Sequence, residues 1–172
     1  MAPILDLVLI VLLLAVVASI LRTRWFKGKI GERAVKRTLK RHLDPRIYRE
    51  LSDVTIPSDD GTTQIDHIYV SPFGVFVIET KNMQGWIFGG PRQAEWTQTI
   101  YRKKGRFQNP LRQNYKHVKA LESLLGLAPD AFRSVVVFAG DFTFETEMPE
   151  EVCTRANVVE HIRSFDERIF SD

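Results

Sequence analysis

The pattern of apolar and polar residues separates an N-terminal apolar segment from a domain of mixed helices and strands. Residues 3–21 read PILDLVLIVLLLAVVASIL and carry one charge, Asp6, near the outer end. As a helix, this segment would rise about 28 Å at roughly 1.5 Å per residue, close to the ~30 Å hydrocarbon core of a bilayer. The pattern predicts a transmembrane helix.

A cleaved signal peptide is the alternative interpretation of this segment, because small residues near its end resemble a cleavage site. The segment has no basic region before it, and a dense basic flank follows Leu21. Both features favour a retained anchor, with the basic flank in the cytoplasm and the short N-terminus outside. We therefore expect a single-pass protein that contacts the lipid bilayer through residues 3–21. Its anchor and juxtamembrane segment would span residues 1–27, and its cytoplasmic domain residues 28–172.

Helical and alternating periods predict the elements of that domain. Apolar residues at helical spacing indicate a first helix over residues 30–43, after a break at Gly28 and with Glu32 in its first turn. Alternating or uniformly apolar runs predict strands. These runs are residues 47–56, 62–70, 75–81, 85–88, 95–102 and 134–139.

Asn109-Pro110 marks the start of a second long helix, which we expect to end at residue 125. Trp86 and Trp96 are expected to pack across a small hairpin. The tail suggests a strand at 158–159 and a short helix over 161–170. The order of helix, three strands, small hairpin, helix and strand predicts an α/β or α+β sheet domain with helices packed on it.

Composition limits the classes of protein to consider. The chain has 172 residues, of which 44% are hydrophobic and 26% charged, as expected for one compact domain with a short appendage. The single cysteine, Cys153, excludes an internal disulfide and a zinc site of the usual ligand spacing. We interpret Cys153 as a small, partly buried residue rather than a catalytic thiol.

Charge is segregated along the chain, although the net charge is only +3. Residues 22–49 contain eleven Lys or Arg and two acids, and residues 102–119 contain seven bases and no acid. Residues 141–172 contain nine acids and three bases. The basic blocks would attract an anionic membrane face or a nucleic-acid backbone, although a solvated helix face explains single lysines equally well.

The predicted hairpin around residues 71–74 brings polar side chains together. If its two middle residues form the loop, Asp66 lies opposite Glu79 and Gln64 lies opposite Lys81. Two opposed carboxylates repel each other unless a proton or a cation lies between them. Mg²⁺, which prefers oxygen ligands and keeps several waters, is the natural occupant of such a quartet.

Other interpretations of the same strands remain open. A type I turn with a bulge at Gly74 would shift the register by one and place Asp66 opposite Thr80. The apolar phase changes between Ile65 and Ile68, which predicts an irregularity near Asp66, and a bulge there would restore the first pairing. An exposed strand face with an ordinary Glu-Lys pair requires no chemistry at all.

Five motifs follow one another over about residues 28–140. They are Gly31-Glu32, Gln64-Ile-Asp66-His67, Gly74-Val-Phe-Val-Ile-Glu79-Thr-Lys81-Asn82, Gly85 with Trp96, and Asn109-Pro-Leu-Arg-Gln113-Asn114. Together they resemble the nuclease-related (NERD) domain, a family of the PD-(D/E)xK restriction-endonuclease-like superfamily. The resemblance implies an αβββαβ core, to which this sequence adds the small hairpin.

The resemblance also implies roles for four residues. Asp66, Glu79 and, from the first helix, Glu32 would ligate Mg²⁺, or Mn²⁺ in its place. Lys81 would orient or help deprotonate the attacking water and neutralise phosphate charge. Ile65 replaces the usual Pro of the superfamily motif, as is normal in the nuclease-related family.

Further residues would contact the substrate. Gln64 and Gln113 are expected to bind substrate or brace the site, whereas His67 is more simply a structural residue. Bases around Asn109 would contact phosphates. They are Lys103, Lys104, Arg106, Arg112, Lys116 and Lys119. Aromatic residues interleave with these bases, as stacking on single strands would require, but a core position is the simpler explanation for Tyr115.

These features lead to three functional hypotheses. The first is a membrane-anchored, Mg²⁺-dependent phosphodiesterase acting on DNA or RNA. The second is a module that binds nucleic acid or protein at the membrane without cutting. The third, a lipid-facing envelope protein, depends only on the basic block at residues 22–49.

Overall fold

The computed structural model describes residues 24–59 and 61–170, which form two sheets and three helices. The helices are α1 (Arg24–His42), α2 (Pro110–Leu125) and α3 (Val158–Arg163), and a 3-10 turn spans Pro129–Ala131. The strands are β1 (Arg49–Ser58), β2 (Gly61–Ser71), β3 (Gly74–Asn82), β4 (Gly85–Phe88), β5 (Glu95–Ile100), β6 (Lys103–Gln108), β7 (Phe132–Ala139), β8 (Phe142–Phe144) and β9 (Val152–Thr154).

The first sheet has five strands in the order β1-β2-β3-β7-β9. Its first three strands are antiparallel, and β3, β7 and β9 are parallel. The second sheet has the order β6-β5-β4-β8. The elements α1, β1, β2, β3, α2 and β7 follow the predicted αβββαβ order, consistent with an α+β nuclease-like fold.

Helices α1 and α2 cover opposite faces of the first sheet. Phe76 and Ile78 of β3 pack with Val35 and Leu39 of α1. The alternate β3 residues pack with α2, as shown by the cluster that contains Val77, Val118 and Leu121. Since successive strand side chains point to opposite faces, β3 is apolar on both sides and lies at the centre of the domain.

The predicted hairpin register is confirmed. Val70 pairs with Val75, and the pairing continues to His67 and Ile78. Gly74 has a φ of 132°, a conformation that L side chains rarely adopt. The bulged alternative is therefore wrong, because Ser71 pairs with Gly74 across a two-residue turn. The predicted pairing of Asp66 with Glu79 is not part of the ladder, which ends at His67 and Ile78, and Asp66 instead accepts a hydrogen bond from the backbone N–H of Thr80.

The predicted irregularity near Asp66 is also present. The pairs between β1 and β2 pass from Ser52–His67 to Val54–Ile65, and Asp53 has a φ of 54°. Ile65 and Ile68 consequently lie in the same core cluster, although strict alternation would separate them. Asp66 is therefore not paired in the ladder between β1 and β2.

Several element predictions were wrong. Gly28 does not break the first helix, since α1 begins at Arg24, and Glu32 therefore lies beyond the first turn. A helix tolerates one glycine at a cost of about 1 kcal/mol when packing compensates. Residues 158–159 begin α3 rather than forming a strand, and that helix ends at Arg163.

The small hairpin is part of a larger sheet, because β6 and β8 extend it on both sides. Trp86 and Trp96 do not pack together. Trp86 pairs with Thr99, an odd number of positions from Trp96, so the two indoles point to opposite faces. Trp96 is fully buried and stacks on Phe138 of β7, which joins the two sheets.

Cys153 is buried on β9, and burial raises the pKa of its thiol to about 12, as expected for an unreactive structural residue.

The predicted transmembrane helix over residues 3–21 lies outside the described residues. Among residues 24–59 and 61–170, no helix is long and apolar enough to cross a bilayer.

Asn109 offers a test of how the two sheets are joined. Its Oδ1 caps α2 by accepting from the backbone N–H of Leu111, and its Nδ2 donates to the carbonyls of Gly90, Pro91 and Gln93. Asn109→Ala should lower the free energy of unfolding by about 2–4 kcal/mol, through loss of the cap and of buried hydrogen bonds. Urea titration followed by tryptophan fluorescence measures the change. The exposed neighbour is the control, and a loss in Gln108→Ala as large as in Asn109→Ala would contradict this assignment.

Candidate active site

Glu79 is a buried carboxylate near the end of the central strand. Glu79 belongs to β3, and only 3% of the residue is exposed. Its side chain points toward α2. Oε1 accepts a hydrogen bond from Nζ of Lys81 at 2.7 Å, and Oε2 lies 3.2 Å from Nε2 of His117. A charge removed from water is costly unless it is paired and hydrogen-bonded, and both oxygens of Glu79 are satisfied in this way.

His117 is a site residue that the sequence prediction missed. It is buried on α2, and its Nδ1 lies 2.8 Å from Oγ1 of Thr63 on β2. An Nε2–H donor toward Glu79 and an Nδ1 acceptor toward Thr63 satisfy both contacts. The available signal was its position four residues after Gln113, which places both on one face of the helix.

Lys81 links Glu79 to helix α2 through hydrogen bonds. Its Nζ donates to Oε1 of Gln113 at 2.8 Å as well as to Glu79. Lys81 and Gln113 are each partly exposed, whereas Glu79 is buried. Gln113 therefore fits the predicted bracing role, and the ammonium group of Lys81 lies at the boundary between the buried carboxylate and solvent.

Asp66 lies beside this pair, and its pKa is raised. Its Oδ2 accepts from the backbone N–H of Thr80 at 2.8 Å. Burial, reinforced by the negative charges of Glu79 and Glu32, raises the pKa of Asp66 to about 7, although the Thr80 bond and Lys81 oppose this rise. Asp66, Glu79, Glu32 and Lys81 thus share one electrostatic environment.

Glu32 and Gln64 occupy the edge of this environment. Glu32 binds Nζ of Lys29 at 2.7 Å, and the same Nζ binds Asp53 of β1 at 2.6 Å. Gln64 donates to Oδ1 of Asp53 at 3.3 Å. The expected pairing of Gln64 with Lys81 is not formed, because the pairs between β2 and β3 end at His67 and Ile78.

His67 lies on the other face of the sheet, toward α1. Its Nδ1 is 3.6 Å from Oε1 of Glu50, which also binds Lys36 and Lys40. Burial lowers the pKa of His67. These surroundings agree with the structural interpretation of His67 rather than with a place beside Glu79.

The predicted phosphate-binding bases lie in two places. Lys103, Lys104 and Arg106 are exposed on β6, the edge strand of the second sheet. Arg112 is exposed on α2, where its guanidinium donates to the carbonyl of Arg92. Lysines are also common on edge strands because they prevent unwanted strand pairing, so the position of β6 alone does not assign a role.

Comparison with known proteins identifies the family. Residues 27–139 match the model of the nuclease-related domain, NERD. The chain belongs to this family. Three of the five motifs that carry the resemblance supply Asp66, Glu79 with Lys81, and Gln113, which lie close together in the folded NERD domain.

Two individual proteins are similar to parts of the chain. An uncharacterized protein of Bacillus anthracis is 56% identical over 103 residues, which cover 59% of this chain and 48% of that protein. The chain therefore spans about half the length of this curated relative. The crystal structure of a protein of unknown function, AF1548, is 12% identical with a TM-score of 0.36, over 65% of this chain and 48% of the other.

The donors of the NERD domain fit a hard divalent cation in part. Within residues 24–59 and 61–170, no group of three or more His, Cys, Asp or Glu side chains is arranged to hold a metal ion. Mg²⁺, however, is commonly bound through one or two carboxylates together with waters and substrate phosphates. The repulsion from Glu79 that helps to raise the pKa of Asp66 is the interaction that a cation would relieve.

Asp66 should make the stability of the metal-free NERD domain depend on pH. The folded state keeps a proton, with a pKa of about 7, that the unfolded chain releases near 3.8, so stability is full below about pH 4 and falls as the pH rises to about 7. Asp66→Asn resembles the protonated form. It should remove this fall and exceed the wild type at pH 8 by about 2–3 kcal/mol, less than the full shift implies because the side chain is partly exposed.

Urea titrations at several pH values in EDTA measure this difference, with the exposed Glu95→Gln as the control. A fall between pH 4 and 7 that persists unchanged in Asp66→Asn would show that another group is responsible.

Proposed function

We propose that this NERD domain is a Mg²⁺-dependent phosphodiesterase that acts on nucleic acid and is anchored to the membrane. The observation that carries the proposal is the pairing of buried Glu79 with the partly exposed Lys81, next to Asp66 with its raised pKa. A carboxylate with a perturbed pKa beside a lysine is characteristic of functional sites. Membership of the nuclease-related family supports nucleic acid as that substrate.

Each residue of the site has a separate role in the proposed reaction. Asp66 and Glu79, with Glu32 nearby, would hold Mg²⁺, or Mn²⁺ in its place, which when bound supplies a Lewis acid for the phosphate and a more acidic water. Lys81 neutralises developing charge on the phosphate or orients the attacking water. Glu79 and Gln113 fix the amine of Lys81, and His117 fixes Glu79.

A non-catalytic module that tethers nucleic acid or a protein is the second candidate. It is favoured by the contacts of Glu79, whose two oxygens are already engaged by Lys81 and His117. In that case the ion pair has a structural role, and the basic residues of β6 and α2 provide the binding surface.

The anchor is part of the proposal. The apolar run at residues 3–21 has the length of a bilayer-spanning helix, and basic residues follow it. By the positive-inside tendency, the NERD domain lies on the cytoplasmic side, where nucleic acid is available.

Cleavage by the full chain in detergent micelles tests the phosphodiesterase. Labelled DNA and RNA, single- and double-stranded, are incubated with Mg²⁺, Mn²⁺ or EDTA. We expect cleavage only with the metals. Asp66→Asn, Glu79→Gln and Lys81→Met should each slow it by about 10²–10³-fold, the usual effect of removing one group that stabilises developing charge.

Glu95→Gln, which alters an exposed carboxylate of β5, is the matched control and should cleave normally. Mg²⁺ should also raise the melting temperature of the wild type but not of Asp66→Asn, because a ligand of the native state stabilises it. Full cleavage by Asp66→Asn and Glu79→Gln would show that the assigned site is wrong. Binding without cleavage under all conditions would favour the tethering module.

Membrane attachment has its own test. The full chain, expressed in bacteria, should remain in the membrane fraction after an alkaline carbonate wash, and deletion of residues 1–21 should release it. Four Lys or Arg substitutions to Gln in residues 22–29 provide the control, since loss of basic charge weakens orientation more than insertion. Quantitative release of the full chain by the wash would contradict the anchor.

A further inference from the structure

A groove adjoins the candidate active site. It has a volume of about 1010 Å³ and lies between the β1–β2 hairpin and the outer face of α2. Thr63 and Gln113 line this groove and also contact the site, Thr63 through His117 and Gln113 through Lys81. A ligand in the groove would therefore lie next to the side chains that surround Glu79.

The groove contains an aromatic side chain that the core does not use. Tyr115 was expected to be a core residue, but 59% of it is exposed. Nζ of Lys119, one helical turn later, lies 5.4 Å from the centroid of the Tyr115 ring. A cation over one face of an exposed ring, in a groove next to the proposed active site, combines the two elements that proteins use to bind single strands, an aromatic face for a base and a positive charge for its phosphate.

The charges lining the groove favour one orientation of a bound ligand. Lys116 and Lys119 line the α2 side, and Asp59 lines the hairpin side. Phosphates are therefore favoured along α2, whereas the hydroxyl groups of Ser58, Thr62 and Thr63 on the hairpin side can hydrogen-bond to base edges. Lys119 also binds Glu122 at 2.5 Å, but exposed ion pairs are weak and exchange readily with a phosphate.

We propose that this groove binds single-stranded nucleic acid, with one base stacked on Tyr115 and the adjacent phosphates held by Lys116 and Lys119. The faces of bases in a duplex are covered by their neighbours, so only an unpaired base can stack on Tyr115. The strand then continues past Gln113 toward Lys81. The substrate preference rests on the proposed function, whereas the binding itself does not.

Fluorescence anisotropy with the full chain in detergent micelles and EDTA tests the groove without cleavage. The probes are a 15-nucleotide single-stranded DNA, the matching RNA and the 15-base-pair DNA duplex. The single strands should bind about 10-fold more tightly than the duplex. Tyr115→Ala should weaken single-strand binding by about 5- to 100-fold, the range reported by alanine substitution of base-stacking residues, and leave duplex binding unchanged.

Two further variants separate stacking from charge. Tyr115→Trp should restore single-strand affinity, because indole also offers an aromatic face. Lys119→Gln should reduce the slope of log affinity against log salt by about 0.7, the value expected when one phosphate contact to a single strand is lost. The comparison of DNA with RNA shows whether the sugar contributes.

Trp86→Ala is the matched control, because Trp86 is 51% exposed on β4 and does not line the groove. It should leave all affinities unchanged. Equal losses in Trp86→Ala and Tyr115→Ala, or an unchanged single-strand affinity in Tyr115→Ala, would overturn the proposal, as would a loss of duplex binding equal to the loss of single-strand binding. Melting curves of both variants establish that they fold.

The test separates this proposal from the proposed function. Since EDTA prevents metal-dependent cleavage, tight single-strand binding that depends on Tyr115 would support the groove even if the protein never cleaves. Conversely, cleavage that requires Asp66 but proceeds equally well in Tyr115→Ala, with unchanged binding, would uphold the phosphodiesterase and reject the groove.

Discussion

The burial of the Glu79 charge is the constraint on which the rest of the domain depends. A carboxylate at this position of the central strand must be paired. Its partners are Lys81 on the same strand and His117 on α2. The helix is held in the required place by Asn114, whose Nδ2 donates to the carbonyl of Val77 and to Oγ of Ser134. Satisfying one charge therefore fixes how α2 lies across β3 and β7.

The same charge also acts on a neighbouring carboxylate. Burial, together with the charge of Glu79, raises the pKa of Asp66. This effect of Glu79 requires that the two side chains lie close together, and Asp66 is not paired in the β1–β2 ladder. A backbone irregularity and a buried charge thus act together to form the site.

Local sequence patterns predicted what depends on short-range geometry. The turn at Gly74 and strand alternation predicted the hairpin register, and the family motifs singled out Asp66, Glu79 and Lys81, which lie close together in the structure. Tertiary packing decided the rest. The face of α2 that is buried brings His117 to Glu79 and leaves Tyr115 exposed. Apolar spacing alone placed Tyr115 in the core and gave no indication of His117. The strand β6 was missed because its run of bases, KKGRFQ, has no apolar alternation, and its pairing with β5 forms it.

Gln113 would connect the proposed binding groove to the proposed chemistry. Its Oε1 accepts from Lys81, and the same side chain lines the groove that contains Tyr115. A base or sugar that donates to this oxygen would compete with Lys81 for it, which would leave the ammonium group held by Glu79 alone and freer to meet a phosphate. The amine has two side-chain partners, Glu79 and Gln113, so loss of the bond to Gln113 would remove one of the two contacts that hold it. Occupancy of the groove and the position of the Lys81 charge are therefore expected to depend on each other.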